Sequence, residues 1–153
     1  MKGAPMKPFR IIVMICLIAL TACGQTESNT SVFQYKGSFV GDNSAVINIS
    51  RMVTTLETVD HFKLQTKQEP YGIELYYEND EPYAFNKIDK EVHQQSLYLY
   101  YLINNVDYIS FIFNNQTIHT ERDMYASDLT ALNKIENINE QKVNNYLYDT
   151  YAP

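Results

Sequence analysis

Three histidines, one acidic cluster and one short oxygen-rich block are the side chains through which this chain could do chemistry. His61, His93 and His119 fall on three separate segments with no shared ligand spacing. A zinc site would need the fold to gather them, and exposed or capping imidazoles are the plainer reading. Glu74, Glu78, Asp80 and Glu81 offer the oxygens a hard cation takes, but the central glycine and terminal glutamate of an EF-hand loop are missing, so a solvated acidic face accounts for them. Gly41-Asp42-Asn43-Ser44 sets short side-chain oxygens ahead of an apolar stripe. That chemistry caps a helix, or, read functionally, holds an anion at its N-terminus; the cap is favoured. No phosphate-cradling glycine loop, HExxH, GxSxG elbow or SxxK occurs. No catalytic residue, metal or cofactor is therefore assigned.

The N-terminus carries its own chemistry. Lys2, Lys7 and Arg10 precede an uncharged apolar run from Ile11 to Leu20, about half the length a membrane span needs. Leu20-Thr21-Ala22-Cys23 then resembles the lipobox of bacterial lipoproteins. The resemblance implies diacylglyceryl transfer to the Cys23 sulfur and cleavage after Ala22, making 1–22 a signal peptide and 23–31 a lipidated tether. The alternative is an uncleaved or ordinary secretory signal in which Cys23 keeps a free thiol. The polar stretch Gly24–Ser31 has a reach on the order of 15 Å, which would keep the domain near the extracytoplasmic face of the cell membrane. With Cys16 removed and Cys23 consumed, no disulfide or thiolate metal site remains. Cleavage also removes three of the twelve basic residues and none of the eighteen acidic ones, leaving a formal charge of minus nine. Nucleic acid is an unfit partner for such a surface.

The elements that must position these residues follow from periodicity. Residues 32–153 read as a single α+β domain. Val46, Ile49, Val53 and Leu56 form the stripe of a helix over 44–56. Phe62, Leu64 and Thr66, then Ile73, Leu75 and Tyr77, alternate on either side of Glu69-Pro70-Tyr71-Gly72 as a hairpin, with Lys63 or Lys67 facing Glu74 or Glu78. A helix is expected over 87–104, although Leu97-Tyr98-Leu99-Tyr100-Tyr101-Leu102 suits a strand equally well. Val106–Asn114 and Gln116–Thr120 make a second hairpin about Asn114-Asn115, and short helices near 123–132 and 139–148 close the chain. The expected architecture is a four-stranded antiparallel sheet with helices on one face, in the order α-ββ-α-ββ-α.

Tyr35-Lys36-Gly37-Ser38-Phe39-Val40-Gly41-Asp42-Asn43-Ser44, with Leu64-Gln65-Thr66 and Glu69-Pro70-Tyr71-Gly72-Ile73, resembles an uncharacterised domain-of-unknown-function family of Gram-positive bacteria over about Tyr35 to Arg122. The resemblance implies small lipoproteins, or extracytoplasmic pieces joined to membrane proteins that include BlaR-type regulators. It implies no catalytic residue. Thirteen tyrosines are the most distinctive feature of composition. Tyr76, Tyr98, Tyr100 and Tyr101 are candidates for one interaction face, although AT-rich coding and strand preference also supply tyrosine. Two functions stay open: a non-catalytic binding or sensory accessory module, with a membrane protein as partner, and a cell-envelope hydrolase using carboxylates such as Asp80 and Glu121. The absence of catalytic motifs favours the first.

Overall fold

A helix must satisfy its first N–H groups, and here Asp42 Oδ1 accepts the Ala45 N–H at 3.0 Å to open helix α1 (Asn43–Val53). The computed structural model in which this is seen describes residues 31–54, 59–78, 85–114 and 116–151. The expected signal, Cys23, nearly all of the tether, Asp80 and Glu81 lie outside the described residues. In α1, Val46, Ile49 and Val53 form the buried stripe, and Thr54 is already extended. The helix thus ends at Val53, and the expected stripe residue Leu56 lies outside the described residues. Replacing Asp42 with alanine should lower the stability of the domain by about 1 kcal/mol, whereas serine or asparagine keeps most of it. The midpoint of urea denaturation measures this.

Strands β1 (Val59–Gln65) and β2 (Gly72–Tyr77) pair antiparallel, and so do β3 (Tyr108–Phe113) and β4 (Gln116–Glu121). Helix α2 (Phe85–Leu102) joins the two hairpins. The sheet order is β1-β2-β3-β4, with β2 and β3 parallel. The sheet is therefore mixed, which corrects the expectation of a purely antiparallel one. The reason is the connection: an 18-residue helix is about 27 Å long, enough to carry the chain back past the roughly 20 Å of a six-residue strand. β3 then starts from the same end as β2, which makes the pair parallel.

The α-ββ-α-ββ-α order needs a second correction. After a 3-10 turn at Arg122–Tyr125 come two helices, α3 (Ala126–Leu132) and α4 (Glu140–Tyr151). Asn137, with φ of 48°, lies in the break between them, a conformation asparagine tolerates better than most residues.

Ile73, Leu75 and Tyr77 of β2 and Ile109, Phe111 and Phe113 of β3 point to one side and are buried. Helix α2 covers that side. The Tyr77 hydroxyl donates to Gln95 Oε1 at 2.7 Å, Gln95 Nε2 donates to Glu91 Oε1 at 3.1 Å, and the Tyr100 hydroxyl donates to the Thr120 carbonyl at 2.8 Å. Buried polar groups facing the sheet are thus paired, as burial demands. Leu97–Leu102 is helix, and every residue of it is buried, because this end of α2 is covered by neighbours on all sides. A helix that is apolar all round loses its period, which is why the sequence pattern there suits a strand equally well.

Candidate functional site

The side chains that alternate with the core residues line the other face of the sheet, and apart from Ile112 and Gly72 those in its paired rows are polar or aromatic. Register sets them in rows. Lys63, Glu74, Ser110 and His119 face one another across all four strands. At strand spacing this row spans about 14 Å. A parallel row holds His61, Tyr76, Ile112 and Thr117, and another holds Gln65, Gly72, Tyr108 and Glu121.

These groups are organised among themselves. The His61 ring stacks on Tyr76 at 4.1 Å and 15°. Lys63 Nζ donates to the Tyr76 hydroxyl at 2.8 Å, and that hydroxyl donates to Glu74 Oε2 at 2.7 Å. The expected charge pair between Lys63 and Glu74 is thus relayed through a tyrosine. Its hydrogen bond to Tyr76 holds the Lys63 pKa above the ordinary lysine value. On the other hairpin Ser110 Oγ lies 3.0 Å from His119 Nδ1, and the His119 ring tilts over Tyr108 at 5.3 Å. Tyr108 in turn covers Gly72, where an added Cβ would lie 2.0 Å from the ring. Glycine is required there by close approach of the aromatic ring. Partial burial, then Glu74, raises the Tyr108 hydroxyl pKa.

Ser110, His119 and Glu121 have the residue types of a nucleophile, a base and an orienting acid. Their arrangement does not fulfil those roles: Glu121 Oε1 is 3.9 Å from His119 Nε2, and both side chains are at least half exposed. Side chains exposed to this degree stay in contact with water, which a reacting centre excludes. What such a face can do is hydrogen-bond and stack against a complementary surface.

The four candidate tyrosines are not brought together. Tyr76 is half-buried on the open face, whereas Tyr98, Tyr100 and Tyr101 are buried in α2. This corrects the expectation of a single tyrosine face, and the cause is that the segment carrying the last three is a core helix. Burial raises all three of their hydroxyl pKa values. The Tyr98 hydroxyl donates to Asn144 Oδ1 at 3.2 Å, beside a cavity of 130 Å³ lined also by Val53, Gln94 and Glu140.

Gly41, Asp42, Asn43 and Ser44 are exposed and open α1, with Asp42 as its cap. The residues before them clasp the C-terminal end of α2. The Gly37 N–H donates to the Leu102 carbonyl at 2.9 Å, the Asn104 N–H to the Ser38 carbonyl at 2.9 Å, and the Val40 N–H to Asn105 Oδ1 at 2.8 Å. Gly37 has φ of +91°, which only glycine adopts freely.

His61, His93 and His119 are not gathered, and no group of three metal-ligating side chains occurs among the described residues. Nor is any described helix long and apolar enough to cross a membrane. Sequence reasoning missed the open-face rows. Their signal was present: positions 108, 110 and 112 mirror 121, 119 and 117 about the turn expected at Asn114-Asn115. A family profile described as a domain of unknown function, DUF4825, matches residues 32–130. No curated protein and no solved structure matches the chain.

Proposed function

This chain belongs to the DUF4825 family of domains of unknown function, and we propose that it works as an extracytoplasmic lipoprotein, anchored through Cys23, whose domain is a non-catalytic binding or sensory accessory module. The observation that carries this reading is the open sheet face. His61, Lys63, Glu74, Tyr76, Tyr108, Ser110 and His119 are held in register on rigid strands, outside the helical layer. Groups already fixed by neighbours lose little entropy on docking, so such a face is prepared for a partner surface. The lipobox-like Leu20–Cys23 supports the anchor, and the short polar tether places the partner at the same membrane. The partner that fits is a membrane protein, not a nucleic acid.

The test is crosslinking in cells followed by pull-down of the tagged chain. Three forms are compared: the natural chain, Cys23→Ala, and a face variant, Tyr76→Ala with His119→Ala, shown by circular dichroism to be folded. One membrane protein captured by the natural chain and lost with both variants is expected. Capture that persists in the face variant would remove the sheet face from the proposal; no specific partner from the natural chain would overturn the module itself.

A further inference from the structure

Helix α4 is held to the domain by a cluster that the open face does not use. Asp128 of α3, its side chain 8% exposed, accepts the Tyr146 hydroxyl at 2.6 Å and the Tyr151 hydroxyl at 2.9 and 3.0 Å. Both tyrosines belong to α4. Beside them the His93 ring of α2 lies between Tyr125, at 5.0 Å, and Tyr151, at 4.2 Å. Its Nε2 is buried without a hydrogen-bond partner, 3.8 Å from Asp128 Oδ2. A buried polar atom left unpaired needs a reason.

We propose that His93, Asp128, Tyr146 and Tyr151 form an acid-sensitive latch that docks helix α4 at neutral pH and loosens it as the surroundings acidify. The groups facing His93 are Asp128 from α3, Tyr125 from the 3-10 turn and Tyr151 from α4, with Tyr146 on the far side of the carboxylate. Asp128 is the charged one. A protonated His93 can be paired only if Nε2 closes from 3.8 Å to about 2.8 Å on Asp128. The oxygen it would approach is Oδ2, which already accepts Tyr151. That oxygen has a second lone pair, so the cost lies in the movement: closing the gap by about 1 Å shifts a ring packed 4.2 Å from Tyr151 and disturbs the last turn of α4.

Burial lowers the His93 pKa below the ordinary 6.5, with Asp128 opposing it as the smaller effect. The undocked form, in which His93 regains solvent, then binds the proton more tightly than the docked form. Docking is complete above about pH 6.5 and weakens as pH falls from there toward the docked-state pKa. Release would reach the start of the domain, because Glu140 of α4 accepts both Ser31 Oγ, at 2.9 Å, and the Val32 N–H, at 2.8 Å. His93, Tyr125 and Asp128 lie within the region matched by the family, and α4 lies beyond it.

The test is amide hydrogen exchange on the full-length chain in detergent micelles between pH 7.5 and 5.0, expressed as protection factors, with α1 as the internal reference. Protection of 140–151 is expected to fall several-fold more than that of α1, with a midpoint that follows the His93 imidazole titration seen by NMR. His93→Gln should abolish the pH dependence. Unchanged or increased protection of α4 at pH 5.0, a His93 that titrates at or above 6.5, or a fall that survives in His93→Gln would each overturn the latch. Because the NMR titration uses the natural chain, the proposal stays testable even where the variant fails to fold.

Discussion

Phe111→Ala is expected to destabilise the domain by about 3–5 kcal/mol, while Ile112→Ala, one residue along the same strand, costs about 1 kcal/mol or less. Phe111 is 1% exposed, pairs with Leu75 on one side and Ile118 on the other, and lies 6.5 Å from the Tyr77 ring in a stacked orientation. Truncation removes a full aromatic ring from between sheet and helix and leaves a cavity that the flanking strands cannot close. Ile112 points to the open face beside Tyr76 and Thr117 and is only half-buried. Domains of this kind are stable by only 5–15 kcal/mol, so the first change removes a large fraction of the total. Urea denaturation of both variants, with unchanged m-values, measures the contrast. Equal losses at the two positions would show that both faces of the sheet are covered, and the proposed docking face would have to be abandoned.

That contrast depends on alternation, and alternation was the most legible property of the sequence. Both hairpins could be read because Leu75 and Tyr77, and Ile109, Phe111 and Phe113, recur with period two, and because each hairpin is closed by a local turn. The relation between the hairpins could not be read from either. It is set by where α2 ends, a matter of length and packing, and pairing between β2 and β3 carries no residue pattern that distinguishes parallel from antiparallel. Tyr98, Tyr100 and Tyr101 misled for a related reason. Composition marks tyrosine as an interface residue, yet each of these sits in a helix enclosed by neighbours, with Tyr98 and Tyr100 donating to Asn144 and Thr120. The open-face rows needed both facts together, register within each hairpin and the parallel join between them. Lys63, Glu74, Ser110 and His119 meet in one row only when all three pairings are known.

Arg122→Ala is expected to cost about 2–3 kcal/mol, a large loss for a half-buried residue outside the apolar core. Arg122 Nη1 donates to the Ile103 carbonyl at 3.2 Å and to the Val106 carbonyl at 3.1 Å, just past the end of α2. These carbonyls belong to the chain leaving the helix, so Arg122 ties that segment together while its charge meets the negative end of the helix dipole. Lys36 approaches the same end. Its Nζ donates to the Tyr101 carbonyl at 2.5 Å and lies 3.1 Å from the centre of the Tyr101 ring. The two cations repel: the Lys36 pKa is lowered chiefly by burial and further by Arg122. Removing Arg122 must therefore raise the Lys36 pKa toward, but not to, the ordinary 10.5, since the burial remains. This second effect separates an electrostatic cap from mere packing. Arg122→Met, which keeps most of the aliphatic stem, should lose nearly as much stability as alanine and raise the Lys36 pKa equally, read by NMR of the lysine side chain. Full stability in the methionine variant would mean that the stem, and not the guanidinium, secures this end of the helix.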